Sequence, residues 1–273
     1  MRRRIISGLF LFVLLAGIAF FCTSGHAEAA GEQYVIGVNC AANTVTVLCD
    51  GVPVRVMICS TGEDTPQGGT FASMEKSRWW FLYGDVYGQY SFRITGHILF
   101  HSVPYTVYED PGTLEPGEFD KLGTAASQGC VRMMVGDVKW IFEHCPSGTP
   151  VVFYRDAACP SPMGTPFFAG IGRFPAPFNS WDPTDLTAGN PWLQLYGACF
   201  DAQWYLAANP DLQGKYAWTE ESLRLHWVTT GIAEGRYASE PMYRFLQQHP
   251  DYDAMYKRDP YSVVIALNRL AGR

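Results

Sequence analysis

Thr44-Val45-Thr46-Val47-Leu48-Cys49-Asp50-Gly51-Val52-Pro53-Val54-Arg55-Val56-Met57-Ile58-Cys59 is two β-branched runs folded back on each other by Asp-Gly. Alternation of apolar and polar residues suits a half-buried strand, and Asp-Gly accepts the positive φ angles of a tight hairpin turn. Tyr34 to Val38 alternates more weakly and is joined to this hairpin by Ala41-Ala42-Asn43. Three strands so close together announce a β domain. Ser60 to Phe71 is rich in turn residues and reads as a loop. Lys76 to Ile98 carries Trp79, Trp80, Phe81, Tyr83, Tyr87, Tyr90 and Phe92, which predicts strands rather than a helix. Ile98 to His101 is a further strand, ended by Pro104, and Tyr108 to Gly123 is a polar loop. Val135 to His144 has helical spacing: Val138, Ile141 and Phe142 share a face, and Asp137 suits the first turn. Val151 to Tyr154 is a last strand. Residues 32–157 are therefore expected to be mainly β with one or two helices.

Residues 158–196 change character. Seven prolines fall between 160 and 191, among Phe167, Phe168, Phe174, Phe178 and Trp181. Proline at this density excludes regular structure. The aromatic residues predict a segment packed along a domain surface. Residues 197–273 hold a weak repeat at an offset of 40: Trp204 to Leu212 echoes Arg244 to Tyr252, and Tyr216 and Ser222 match Tyr256 and Ser262. Each unit reads as a short helix, an Asn/His-Pro-Asp turn and a second helix, with Gly231 as a helix C-cap. This is a small α-helical module with no catalytic pattern. Its tryptophans suit core packing; the partners they leave open are glycan or a surface protein.

The first 29 residues read as a signal peptide: Arg2-Arg3-Arg4, an apolar run from Ile5 to Cys22, and Ala27-Glu28-Ala29 at a cleavage site. An uncleaved anchor is the alternative, and either places the protein outside the cytoplasm at the cell wall. Without residues 1–29 the formal net charge is about −8. No basic patch remains, so nucleic acid is a poor partner. Seven cysteines remain: Cys40, Cys49, Cys59, Cys130, Cys145, Cys159 and Cys199. An odd count in an exported chain leaves one thiol unpaired, and Cys130 is the candidate. Cys40 with Cys49, flanking the hairpin, and Cys59 with Cys145 are the pairings considered.

Cys130 lies in Ser127-Gln128-Gly129-Cys130-Val131-Arg132-Met133 and His101 in Phe100-His101-Ser102-Val103-Pro104-Tyr105. A cysteine becomes a nucleophile when an imidazole, a positive charge or a helix N-terminus favours its thiolate. His101, Arg132 and the helix near Val135 offer all three. Gly129 lets the backbone come close, so amides there suit a developing oxyanion. The plain alternative is a buried structural cysteine beside a core histidine. His97 and His101 on one strand stand about 13 Å apart at roughly 3.3 Å per residue, too far to share one metal ion.

These two stretches resemble the L,D-transpeptidase catalytic domain, the YkuD family. Ser60-Thr61-Gly62, Thr65-Pro66, Gly69-Thr70-Phe71, Asp137 and Gly148-Thr149-Pro150-Val151-Val152 extend the likeness over about residues 32–155. The resemblance implies a β-sandwich whose mouth carries the site. It implies Cys130 as nucleophile, His101 as base, the Ser102 carbonyl as orienter of His101, and amides near Gly129 and Cys130 as oxyanion hole. Arg132, Gln128 and Tyr105 fall to substrate binding. Gln128 stands where the family usually has histidine; it hydrogen-bonds but does not titrate. The gap between His101 and Ser127 is longer than usual, which makes Tyr108 to Gly123 an inserted loop over the cleft.

The expected function is a peptidoglycan L,D-transpeptidase without metal or cofactor. Cys130 attacks the L-centre carbonyl of the diamino acid in a tetrapeptide stem, D-alanine leaves, and an amine accepts the acyl group in a 3→3 cross-link. The alternatives are an L,D-carboxypeptidase, protein anchoring to peptidoglycan, and a non-catalytic wall-binding protein with a degenerate site. A sortase-like enzyme fits less well, because no Thr-Leu-x-Thr-Cys surrounds Cys130.

Overall fold

A computed structural model describes residues 32–272; the expected signal peptide lies outside the described residues. The Asp50-Gly51 hairpin forms as its residues dictate. Strands β1 (Tyr34–Asn39), β2 (Thr44–Cys49) and β3 (Val52–Ser60) run antiparallel in sequence order, and Asp50 and Gly51 take φ of 50° and 79°. Six more strands follow: β4 (Gly69–Ala72), β5 (Lys76–Leu82), β6 (Val86–Thr95), β7 (Ile98–Ser102), β8 (Val131–Met133) and β9 (Pro150–Tyr154). Their order is β4-β9-β1-β2-β3-β8-β7-β6-β5.

The strands do not divide into two separately bonded sheets. β3 pairs with β2 along most of its length, and its last two residues, Cys59 and Ser60, pair with Met133 and Arg132 of β8. One strand thus carries hydrogen bonds from one half of the sheet into the other. The expected sandwich is a single nine-stranded sheet curled on itself. Val38, Val45, Val47 and Met57 of one half meet Phe92, Phe100 and Val131 of the other in a common core. β4 was not expected. It is four residues long, largely exposed, and joins the edge by pairing with β9. Its period-2 signal is too short to rise above its glycines.

Two short helices accompany the sheet: α1 (Pro116–Phe119), inside the loop that follows β7, and α2 (Val135–His144), directly after β8. Val138 and Ile141 of α2 are fully buried in the sheet core. Lys76 donates to the carbonyls of Phe142 and Cys145 at its C-terminus, where a cation is favoured.

Residues 160–196 form a packed layer. Phe167, Ile171, Trp192 and Leu195 are buried in a second core. That core joins Val103, Tyr105, Leu114 and Phe119 on the sheet side to Tyr205, Trp227, Leu246 and Val264 beyond it. Those last four belong to a helical half: α3 (Ala202–Ala208), α4 (Glu220–His226) with a π-helical turn over Trp227–Gly231, α5 (Glu240–Gln248), α6 (Pro250–Arg258) and α7 (Pro260–Ala271). Asp201, Thr219, Ser239 and Asp259 cap α3, α4, α5 and α7 through side-chain oxygens. Gly231 is not a C-cap. It sits inside the π turn, and a Cβ there would lie 2.2 Å from the Tyr205 hydroxyl; Gly235, at φ 72°, takes the left-handed position. Among the described residues no helix is long and apolar enough to cross a membrane.

The hairpin register overturns one cysteine pairing. Tyr34 faces Cys49 and Asn39 faces Thr44, so Cys40 and Cys49 lie at opposite ends of the β1–β2 pair, on the order of 20 Å apart. Cys59 and Cys145 are both buried in the sheet core and unbonded, and all seven described cysteines carry free thiols. Pairing therefore does not single out Cys130; its position does.

Candidate active site

β7 and β8 run side by side and parallel, with Phe100 opposite Val131, His101 opposite Arg132 and Ser102 opposite Met133. Phe100 and Val131 are fully buried in the sheet core. Side chains alternate along a strand, so His101 and Arg132 face away from that core, and Cys130, just before β8, shares their side. The parallel pair thus brings a cysteine, a histidine and an arginine from distant stretches to one patch.

The turn that presents Cys130 is held by the loop after β3. The Ser127 amide donates to the Thr61 carbonyl at 3.0 Å, and the Asp64 amide to the Gln128 carbonyl at 2.8 Å. The Thr65 hydroxyl accepts from the Gly62 amide and donates to the Gly129 carbonyl at 2.6 Å. The Ser127 hydroxyl donates to the Cys130 carbonyl at 2.6 Å. Both glycines are needed by close approach. A Cβ on Gly62 would stand 1.9 Å from the Ser127 carbonyl oxygen, and one on Gly129 within 2.8 Å of Ile98 and Asp64. Among the described residues, no turn or loop carbonyl accepts from the amides of Gly129 and Cys130.

His101 is 3% exposed, and its Nδ1 lies 2.5 Å from the Ser102 carbonyl. A carbonyl only accepts, so Nδ1 carries the proton and Nε2 keeps the lone pair. The Ser102 hydroxyl accepts from the Gln89 amide and donates to the Val103 carbonyl, both at 2.8 Å. Gly88 on β6 makes room for the ring, since a Cβ there would be 2.9 Å from that of His101. Arg132, 9% exposed, donates from Nη1 to Glu118 Oε2 at 2.5 Å, and its Nε is buried without a partner. Glu118 sits on α1, so the inserted loop reaches the site through this ion pair. Beside it the loop borders a cavity of about 410 Å³ lined by Thr106, Thr113, Glu115 and Glu118.

Two of the expected substrate-binding residues differ in exposure. Tyr105 is fully buried and edge-on to Trp79, with Asp182 and Asp185 close enough to act on its hydroxyl electrostatically, so its side chain is packed inside the structure. Gln128 is exposed on the turn, and its carbonyl holds the Asp64 amide. Glu118, Gly88 and Thr65 were missed. Gly88 left a mark in the sequence, a glycine inside an aromatic strand where another group comes close, and Thr65 did so only as part of the resemblance.

The resting pair is neutral. Burial pulls His101 down to about 3, Arg132 adds to the effect, and the Ser102 carbonyl opposes it. Burial lifts the Cys130 thiol above its ordinary value, against the Leu99 amide, Arg132 and Arg93, which favour the thiolate. The thiol donates to the His97 carbonyl at 3.6 Å rather than to His101. Cys130 alkylation by iodoacetamide, followed by peptide mass spectrometry, should therefore keep accelerating as pH rises beyond 8. A plateau from pH 6 to 8 would mean that an imidazolium–thiolate pair already exists.

Residues 33–153 match the family model of YkuD, the L,D-transpeptidase catalytic domain. The curated "Putative L,D-transpeptidase YciB" of Bacillus subtilis is 38% identical over 108 residues, 36% of this chain and 54% of that protein. The chain thus spans about half the length of this relative. Among solved structures, an L,D-transpeptidase from Mycobacterium smegmatis is 21% identical, with a TM-score of 0.38 over 45% of this chain and 59% of that one. One from Mycobacterium tuberculosis H37Rv is 25% identical, with a TM-score of 0.37 over 46% and 59%. Both likenesses take in less than half of this chain.

Proposed function

We propose that this protein is a cell-wall L,D-transpeptidase acting outside the cytoplasm on peptidoglycan stem peptides. The observation that carries the proposal is the parallel β7–β8 register, which sets Cys130 and His101 on one face with His101 Nδ1 tied to the Ser102 carbonyl. Cys130 Sγ attacks the carbonyl at the L-centre of the diamino acid in a tetrapeptide stem. His101 Nε2 takes the thiol proton and delivers it to the leaving amine of D-alanine. The amides of Gly129 and Cys130 receive the oxyanion. The buried Arg132, with Nε unpartnered, supplies a donor to the stem. The thioacyl group then passes to an amine of a second stem.

Incubation with purified disaccharide-tetrapeptides, read by mass spectrometry, tests this. The expected result is a mass increase on the Cys130 peptide, release of D-alanine and cross-linked dimers. Trimmed stems without dimers would make the enzyme an L,D-carboxypeptidase. No adduct at all would make the domain a wall-binding one.

A further inference from the structure

We infer that His97, paired with Asp64 at the rim of the Cys130 turn, is the base that takes the proton from the incoming amine acceptor. The inference rests on the acyl-transfer reading above and assigns its second half-reaction. Four contacts tie His97 and Asp64 to the turn that carries the thiol. Cys130 Sγ lies 3.6 Å from the His97 carbonyl. His97 Nε2 lies 3.8 Å from Asp64 Oδ2. The Asp64 amide is bonded to the Gln128 carbonyl, and its Cβ abuts Gly129. His97 and Asp64 therefore flank the turn that presents the thiol.

Exposure separates the two histidines. The side chain of His97 is 78% exposed and that of Asp64 64%, whereas His101 is 3% exposed with Nδ1 already committed. An acceptor amine arrives from solvent as an ammonium and needs a base it can reach. His97 meets that need; His101, beneath the acylated thiol, serves the leaving group. Gln128, the exposed side chain next in the turn, cannot titrate. As a surface ion pair at 3.8 Å, His97–Asp64 adds little to stability. The other charges on this rim are Arg93, which donates to the Gly96 carbonyl, and Glu75, bonded to Arg93.

The step balances. The amine nitrogen forms a C–N bond to the thioester carbonyl, the C–S bond breaks, and sulfur leaves as thiolate. Nitrogen sheds two protons on the way from ammonium to amide: the first goes to the free ring nitrogen of His97 and on to solvent before attack, and the second, lost as the C–N bond forms, passes through His97 to the departing thiolate.

The test compares wild type, His97→Gln, His97→Ala and Asp64→Asn, each given disaccharide-tetrapeptide as donor and glycinamide as acceptor probe. Mass spectrometry follows the acyl-enzyme, the hydrolysed stem and the amide product separately. In His97→Gln the acyl-enzyme should form at the wild-type rate and accumulate, while amide product slows about 10²-fold, the lower range for general base catalysis. Asp64→Asn should show a smaller loss of the same kind, and added imidazole should restore amide formation in His97→Ala. Unchanged amide formation in His97→Gln, loss of its acyl-enzyme, or no rescue by imidazole would each overturn the inference. Absence of an acyl-enzyme in wild type would instead sink the acyl-transfer reading beneath it.

Discussion

Cys130→Ala protein should gain no mass from a carbapenem or a tetrapeptide, and its rate of D-alanine release should fall by at least about 10³-fold. The thiol is the best-placed nucleophile of this patch among the described residues, because His101 is buried with Nδ1 committed and Ser127 spends its hydroxyl on the Cys130 carbonyl. Cys40, Cys59 and Cys145 offer no substitute. Burial pushes Cys40 up to about 11 and Cys145 to about 12, and lifts Cys59 well above its ordinary value. Cys159 is exposed, but burial and then Asp156 raise its thiol as well. The substitution leaves the turn standing, since Thr65 and Ser127 bind the carbonyls of Gly129 and Cys130, not the thiol. Loss of acylation with an unchanged melting temperature is therefore the expected pair of results. An adduct that persists in Cys130→Ala would move the nucleophile elsewhere.

The parts of this site that were legible in the sequence are those fixed by local pattern. The Asp50-Gly51 hairpin, the strand through His101 and the helix from Val135 follow from alternation, turn chemistry and 3.6-residue spacing. Cys130 and His101 stand out because their residue types are chemically distinctive. The rest depends on contacts between distant stretches that carry no local mark. Nothing in Pro116 to Phe119 says that Glu118 will meet Arg132, and nothing around Cys59 says that β3 will bridge two halves of one sheet. Tyr105 misled because closeness in sequence to His101 is not closeness to the cleft: the chain turns it inward at Pro104. Gly231 misled because a glycine at a helix end has two explanations, conformational freedom and close approach, and only the Tyr205 hydroxyl decides between them.

Asp182→Ala should destabilise the protein by about 2–4 kcal/mol, an effect on the scale of orphaning several buried donors. Helix α2 begins at Val135 with Met134 at its N-cap, which has no side chain to satisfy the first amides. The proline-rich segment supplies the cap. Asp182, fully buried, accepts from the Val135 amide at 2.7 Å and from the Thr184 amide and hydroxyl at 2.7 and 2.6 Å; Thr184 in turn accepts from the Gly136 amide. Asp185 then takes the Gln89 side-chain amide, on the residue whose backbone N–H holds Ser102. The segment between the sheet and the helical half is thus stitched to the scaffold of the site. Asp182→Asn should also destabilise, because its amide group must face either the Val135 or the Thr184 donors. The pH dependence has a definite sign. Burial lifts Asp182 to about 7, against the hydrogen bonds from Thr184 and Val135, while an unfolded aspartate titrates near 4. Between those values the folded state keeps a proton that the unfolded state has lost, so this group's contribution is full at low pH and fades as pH rises from about 4 to 7. Asp137, lifted by burial to about 6 against Arg55, slopes the same way. Urea unfolding of wild type and Asp182→Asn at pH 5 and pH 8 checks both claims. His101 and His226, both pulled down by burial, slope the opposite way in both proteins, so the test is the difference: from pH 5 to pH 8 the stability of the wild type should change less favourably than that of the variant, which lacks only the Asp182 contribution. Equal changes, or a cost below about 1 kcal/mol for Asp182→Ala, would mean that the helix keeps its N-terminus without this carboxylate.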